Sequence, residues 1–156
     1  MTYKENTLET NYNHEDDILK LDNQLCFSLY VCSKEIIKKY KPLLEPFGLT
    51  YTGYITLLAL WEKDNITVKE LGKKLYLDSG TLTPLLKKLE SLDYVNRVRS
   101  SVDERNVHVV LTEKGQRLKA EAVEIPKKLI CSSNLSEESA LDIYLALKKL
   151  MSLVDG

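Results

Sequence analysis

Apolar residues recur every three to four positions through most of this chain, and the breaks in that rhythm mark out its elements. From Leu21, the set Leu25, Leu29, Cys32, Ile36, Tyr40, Leu43 and Leu44 predicts one long helix, stopped by Pro46-Phe47-Gly48. Thr50 is placed to cap a second helix that contains Leu57, Leu58, Leu60 and Trp61, and by content both are core helices. Thr67-Val68-Lys69-Glu70 has the form of a capping box and opens a third, with Val68, Leu71 and Leu75 on one stripe. After a break at Asp78, Leu82, Leu85, Leu86, Leu89 and Leu92 give a fourth helix an apolar face. Its opposite face carries Ser79, Thr81, Thr83, Lys87 and Lys88, and Pro84 either bends its first turn or sets its regular start near Thr83. The period then shortens: Val95 to Arg99 and Val107 to Thr112 read as strands around a polar loop from Ser100 to Asn106.

Beyond the strands, Glu113 to about Leu129 is helical, with Pro126 expected to kink or restart it. Ser136-Glu137-Glu138 opens a last helix with a hydroxyl cap and acids at the positive end of the dipole. In it Ala140, Tyr144, Leu147, Met151 and Val154 alternate steps of four and three, and Leu141, Leu145 and Leu150 widen the stripe. The expected fold is mainly α with a small β wing: six helices, a two- or three-stranded sheet, and a winged helix-turn-helix at about 50–112. Such a layout reads DNA. The apolar faces at both ends, about 21–46 and 113–155, bury either against their own domain or against a second copy of the chain.

Composition narrows the picture. The 156 residues suit one domain with a full core, preceded by a polar, flexible arm over residues 1–20. A net charge of -1 excludes a polycation, so affinity for DNA must come from local placement of Lys87, Lys88, Arg97, Arg99 and Arg105. No apolar run is long enough to span a bilayer, and the arm lacks the hydrophobic centre of a signal peptide. Three widely spaced cysteines fit a reducing cytoplasm better than a disulfide framework. No metal-ligand spacing or cofactor-binding loop is present, and there are only two histidines, His14 and His108.

A recognition helix needs short polar side chains at its start, for base edges, and cations further along, for phosphates. Ser79, Thr81, Thr83, Lys87 and Lys88 meet that description. The same residues also fit a plainer reading, with hydroxyls that cap and lysines on a solvated face. In the wing loop Arg105 stands beside Asp103, where an arginine can enter a narrow minor groove while the aspartate orients it; the plainer reading is a surface salt bridge.

The run Leu77-Asp-Ser-Gly-Thr-Leu-Thr-Pro-Leu-Leu-Lys-Lys-Leu-Glu90, the wing signature Asp103-Glu-Arg105 and Leu111-Thr-Glu-Lys-Gly115 resemble the multiple-antibiotic-resistance regulator (MarR) family of winged-helix repressors. The resemblance extends from about Leu21 to the C-terminus. Asn23-Gln-Leu-Cys-Phe27, Tyr30, Tyr40 and Leu49-Thr-Tyr51 look like its thiol-based branch, the organic-hydroperoxide resistance regulators. The resemblance implies a homodimer joined through its terminal helices and a pseudo-palindromic double-stranded DNA operator. It also implies the DNA-binding roles of Asp103 and Arg105, and an organic hydroperoxide as oxidant.

By itself Cys26, one residue off the apolar stripe, reads first as a small hydrophobe. The resemblance implies more: Cys26 as the redox-sensing thiol, Tyr30, Tyr40 and Tyr51 as its activating phenols, and Cys131 as the resolving thiol from the other subunit. Phenolic donors and a helix N-terminus are surroundings that favour a thiolate, the form that attacks peroxide oxygen. Cys32 is assigned to packing. Two other functions fit part of the pattern: a MarR-type regulator governed by a small phenolic ligand with Cys26 inert, and a thiol peroxidase with Cys26 as nucleophile. The peroxidase has no use for an arginine-tipped wing.

Overall fold

The computed structural model describes residues 15–99, 106–132 and 136–154, in two compact units, Met1–Lys38 and Lys39–Gly156. In the first unit, α1 (Glu15–Ile18) is a single turn, followed by a 3-10 turn at Leu21–Asn23. Side-chain amides finish these short elements: Asn23 Nδ2 donates to the Asp17 carbonyl at 2.7 Å, and Gln24 Nε2 donates to the carbonyls of Ile18 and Lys20. The first fourteen residues of the expected arm lie outside the described residues. α2 (Leu25–Leu44) begins in this unit and ends in the second, with Pro42 inside its last turn.

The second unit continues with a 3-10 turn at Glu45–Phe47, α3 (Tyr51–Glu62), β1 (Ile66–Thr67), α4 (Val68–Leu75) and α5 (Ser79–Ser91). The strands β2 (Val95–Arg99) and β3 (Val107–Leu111) follow, then α6 (Glu113–Ala122), α7 (Glu124–Cys131) and α8 (Glu137–Val154). The expected caps form. The Thr50 hydroxyl accepts from the Gly53 amide at 3.2 Å, and Ser136 Oγ accepts from the Ser139 amide at 3.2 Å. Thr67 and Glu70 close a reciprocal capping box. Gly48, with φ of +66°, ends the 3-10 turn in a conformation that glycine adopts without strain.

All three strands are antiparallel, in the order β1-β3-β2. Val109 sits at the centre, opposite Ile66 on one side and Arg97 on the other, and is fully buried. The two-residue β1 is too short to show as a strand in the sequence. Around the sheet, Leu57 and Leu60 of α3, Leu71 of α4, and Leu82, Leu86 and Leu89 of α5 pack with Val95 as one core. The α5 periodicity therefore faces inward as predicted.

Two expectations are corrected, and the restart expected at Pro126 is met. The six helices become eight helical segments among the described residues, because α1 is added and the helix after the wing divides. That helix breaks at Val123, three residues before Pro126. A proline at 126 has no amide for the Ala122 carbonyl, so α6 ends there, and Pro126 falls in the first turn of α7, where amides lack helical partners. Finally, α2 is not a core helix in the single chain: Leu44 is its only buried residue, and Leu25, Tyr30, Ile36 and Cys32 are exposed. Likewise α8 contains no buried residue, and Leu141, Ile143, Tyr144, Leu145, Leu147 and Met151 face outward.

Of the glycines in the described residues, Gly115 leaves the least room for a side chain. A Cβ there would lie 2.1 Å from the Tyr94 carbonyl oxygen, a backbone atom, and the Gly115 carbonyl accepts from Trp61 Nε1 at 2.9 Å. Gly115→Ala is expected to destabilise the fold by about 3 kcal/mol or more, read as a lower denaturant midpoint. An unchanged midpoint would mean that the junction of β3 with α6 yields more freely than its packing implies.

Candidate nucleic-acid interface and thiol site

The start of α5 is fixed by Asp78, not by a hydroxyl. One carboxylate oxygen accepts from the Thr81 amide at 2.8 Å, and the other accepts from the Thr81 hydroxyl at 3.1 Å. These bonds, the amide's first, hold the Asp78 carboxyl below the ordinary carboxylate range. The helix thus begins at Ser79 and accommodates Pro84 within it, although no amide at 84 can meet the Gly80 carbonyl. Ser79, Thr81, Thr83, Lys87 and Lys88 are all exposed on one face. The Thr83 hydroxyl donates to the Ser79 carbonyl at 2.8 Å, which steadies the side chain while its oxygen remains an acceptor. Lys87 and Lys88 form no ion pair among the described residues.

The wing is tied to α5 through Glu90. Its carboxylate accepts from the Arg97 amide at 3.1 Å, from Nε at 3.0 Å and from Nη2 at 2.6 Å, and these bonds hold Glu90 below its usual range. Arg97 is therefore committed to the fold, and Lys87, Lys88 and Arg99 remain as the outward cations of the expected basic cluster. An open cleft of about 570 Å³ runs beside α5, with Lys69, Lys73, Ser79, Thr83, Arg97 and Asn106 in its walls. Arg99 pairs with Val107 as the last register position before the wing loop. Asp103 and Arg105 lie outside the described residues. The Leu111-Thr-Glu-Lys-Gly115 motif closes the hairpin as a helix start: Thr112 accepts from the Gly115 amide at 3.0 Å and donates to the Asp93 carbonyl at 2.6 Å.

Cys26 is the second residue of α2 and exposed. One turn on, Tyr30 stacks on Phe27 with ring centroids 6.5 Å apart, and the Lys34 ammonium lies 5.9 Å from its ring. In the second unit, Tyr40 and Tyr51 meet at 4.9 Å, and Tyr54, missed in the sequence, lies 5.8 Å from Tyr40. The spacing of Tyr54 from Tyr51, one helical turn, was the available signal. Burial first, then the neighbouring phenols, raises the Tyr40 pKa, so its hydroxyl stays protonated and able to donate. Burial and Tyr51 do the same for Tyr54. No phenol hydrogen-bonds to Cys26 among the described residues of this single chain. Cys131 is the last residue of α7 and exposed. Cys32, expected in packing, is exposed too, because the surrounding face of α2 is uncovered.

The model of the family described as "Transcriptional regulator SarA/Rot" matches residues 38–122, more than half of the chain. The chain belongs to the SarA/Rot family of transcriptional regulators. It is 51% identical over 132 residues to the HTH-type transcriptional regulator SarZ of Staphylococcus aureus, covering 85% of this chain and 89% of SarZ. Among solved structures it resembles reduced AbfR bound to DNA, at 35% identity and a TM-score of 0.73, over 91% of this chain and 99% of that one. AbfR, a protein of Staphylococcus epidermidis, has also been solved overoxidised on DNA and in a disulfide-formed state. A MarR transcriptional regulator from Methanosarcina mazei is 28% identical with a TM-score of 0.65, over 80% of this chain and 89% of its own. The family carries a winged-helix fold, and the MarR-type architecture expected from the sequence is borne out.

Proposed function

We propose that this family member is a dimeric DNA-binding repressor that senses organic hydroperoxides or related oxidants through Cys26 and leaves its operator on oxidation. The observation that carries the reading is an exposed thiol at the start of α2 in a chain whose recognition helix presents hydroxyls and lysines to solvent. AbfR, a relative, supports it by having been solved reduced on DNA and disulfide-formed. The helices about 21–46 and 113–155 join two copies, because α8 buries nothing in one chain. The winged helices about 50–112 then read the half-sites of a pseudo-palindromic operator, with Asp103 and Arg105 at the wing tips. Three unpaired cysteines suit a reducing cytoplasm.

The Cys26 thiolate attacks the distal oxygen of the hydroperoxide, the O–O bond breaks, and an alcohol leaves as Cys26 becomes sulfenic acid. The Cys131 thiol of the second subunit then displaces the sulfenic oxygen as water and forms a disulfide. Tyr30, Tyr40 and Tyr51 are the phenols proposed to activate that thiol. The test is to add organic hydroperoxide to the reduced protein and count what is consumed. A sensor takes up about one equivalent per Cys26 and loses DNA; sustained turnover with a thiol reductant would make it a peroxidase instead.

The wing supplies a further expected result. Arg105→Ala weakens operator binding by about 1–3 kcal/mol, as for a specific side-chain contact to DNA, and leaves the melting curve unchanged. Equal affinity at matched salt would remove Arg105 from the interface.

A further inference from the structure

Two cations of α4 stand apart from the hydroxyl and lysine face of α5. Lys69 and Lys73 are one helical turn apart, and both are exposed. The other side of α4 is fixed in the core: Leu71 is fully buried, and a Cβ at Gly72 would lie 2.9 Å from the Leu77 carbonyl oxygen. Tyr76, with φ of 55°, closes the turn to α5, and the Leu77 amide returns to the Gly72 carbonyl at 3.0 Å. So close a fit leaves α4 little freedom to rotate. Lys69 and Lys73 are held on the wall of the same open cleft that Ser79 and Thr83 of α5 line.

The charge of that wall is unbalanced. Carboxylates of the neighbouring elements are already engaged: Glu70 in the capping box with Thr67, Asp78 with the Thr81 amide and hydroxyl, Glu62 with Lys74, and Glu90 with Arg97. Lys69 and Lys73 form no ion pair among the described residues, and no described residue of the cleft wall is acidic. Like charges one turn apart repel and weaken a helix, so an anion that spans both is favoured there. In a chain of net charge -1 this is a local positive strip beside the start of the recognition helix. We propose that Lys69 and Lys73 bind neighbouring phosphates of one DNA strand, their ammonium groups donating to phosphate oxygens while the hydroxyls of α5 approach the bases. This rests on the reading of the chain as a DNA-binding regulator. The contact sets the register of the recognition helix and carries no base preference.

The test follows binding by the reduced full chain across a salt series, with two probes: a duplex selected by the wild-type protein from a random-sequence pool, and an unselected duplex. If the wild type binds neither, the DNA-binding reading itself fails. If it binds, Lys69→Gln with Lys73→Gln is expected to weaken both duplexes alike. The slope of log affinity against log salt should also fall in size by about 2, since each lost phosphate contact removes about 1. Lys69→Arg with Lys73→Arg keeps the wild-type slope, because the charge is retained. The glutamine variant should melt at or above the wild-type temperature, since a repelling pair is removed and helix propensity is kept. A wild-type slope in the glutamine variant would overturn the proposal, and so would a loss confined to the selected duplex, which would mean base reading. Should that variant fail to fold, each single glutamine variant is read in the same way, with an expected change of about 1.

Discussion

Replacing Cys26 by serine is expected to leave the reduced protein's operator affinity unchanged and to abolish its response to organic hydroperoxide. Cys26 is exposed on α2 and is not one of the hydroxyl and lysine side chains of α5 proposed to meet DNA, so none of those contacts is removed. A serine hydroxyl is not oxidised by peroxide, so the sulfenic acid cannot form. Cys131→Ser separates the two steps: the sulfenic acid forms, but no covalent dimer is seen on a non-reducing gel. Only the cross-link, not the sulfenic acid, joins two elements of different chains. The disulfide is therefore the step proposed to release the operator, by drawing α2 of one chain toward the end of α7 of the other and altering the spacing of the recognition helices. Oxidised Cys131→Ser should stay bound. Release of that variant, or wild-type protein that remains wholly monomeric on the gel, would remove Cys131 from the mechanism.

The second large effect concerns assembly. Leu147 and Met151 lie one turn apart on α8 and are exposed in the single chain. Introducing aspartate at both should convert a dimer into a monomer by light scattering at micromolar concentration. Operator affinity should fall by at least about a hundredfold, because half-sites then bind independently. The one tryptophan, Trp61, donates to the Gly115 carbonyl and so joins α3 to the start of α6, away from α8 in sequence; its emission should stay as in the wild type and certify the fold. A variant that remains dimeric would place the interface elsewhere.

What the sequence revealed follows from the range of each interaction. Caps and stripes join residues three or four apart, so the Thr67–Glu70 box, the Thr50 and Ser136 caps and the inward face of α5 could all be read directly. The oxygen that caps α5 belongs to Asp78, one residue before the hydroxyls that drew attention. Long-range contacts left no such trace. β1 has only two residues, and its approach to β3 depends on the Asp64 carboxylate accepting the Leu111 amide at 2.9 Å. The strained Tyr76 turn was equally hidden, since nothing in the residue type announces a left-handed conformation. Of the site, Tyr40 and Tyr51 meet each other, and Tyr54, absent from the sequence reading, joins them. The uncovered faces of α2 and α8 explain why helices that look like core by composition bury so little in one chain.

The most direct measurement follows DNA binding by one sample through a redox cycle: reduced, treated with organic hydroperoxide, then reduced again with a dithiol. Tight binding of a selected duplex is expected at the start, loss on oxidation together with a Cys26–Cys131 cross-link between chains, and recovery on reduction. Affinity that is the same in all three states would contradict this mechanism.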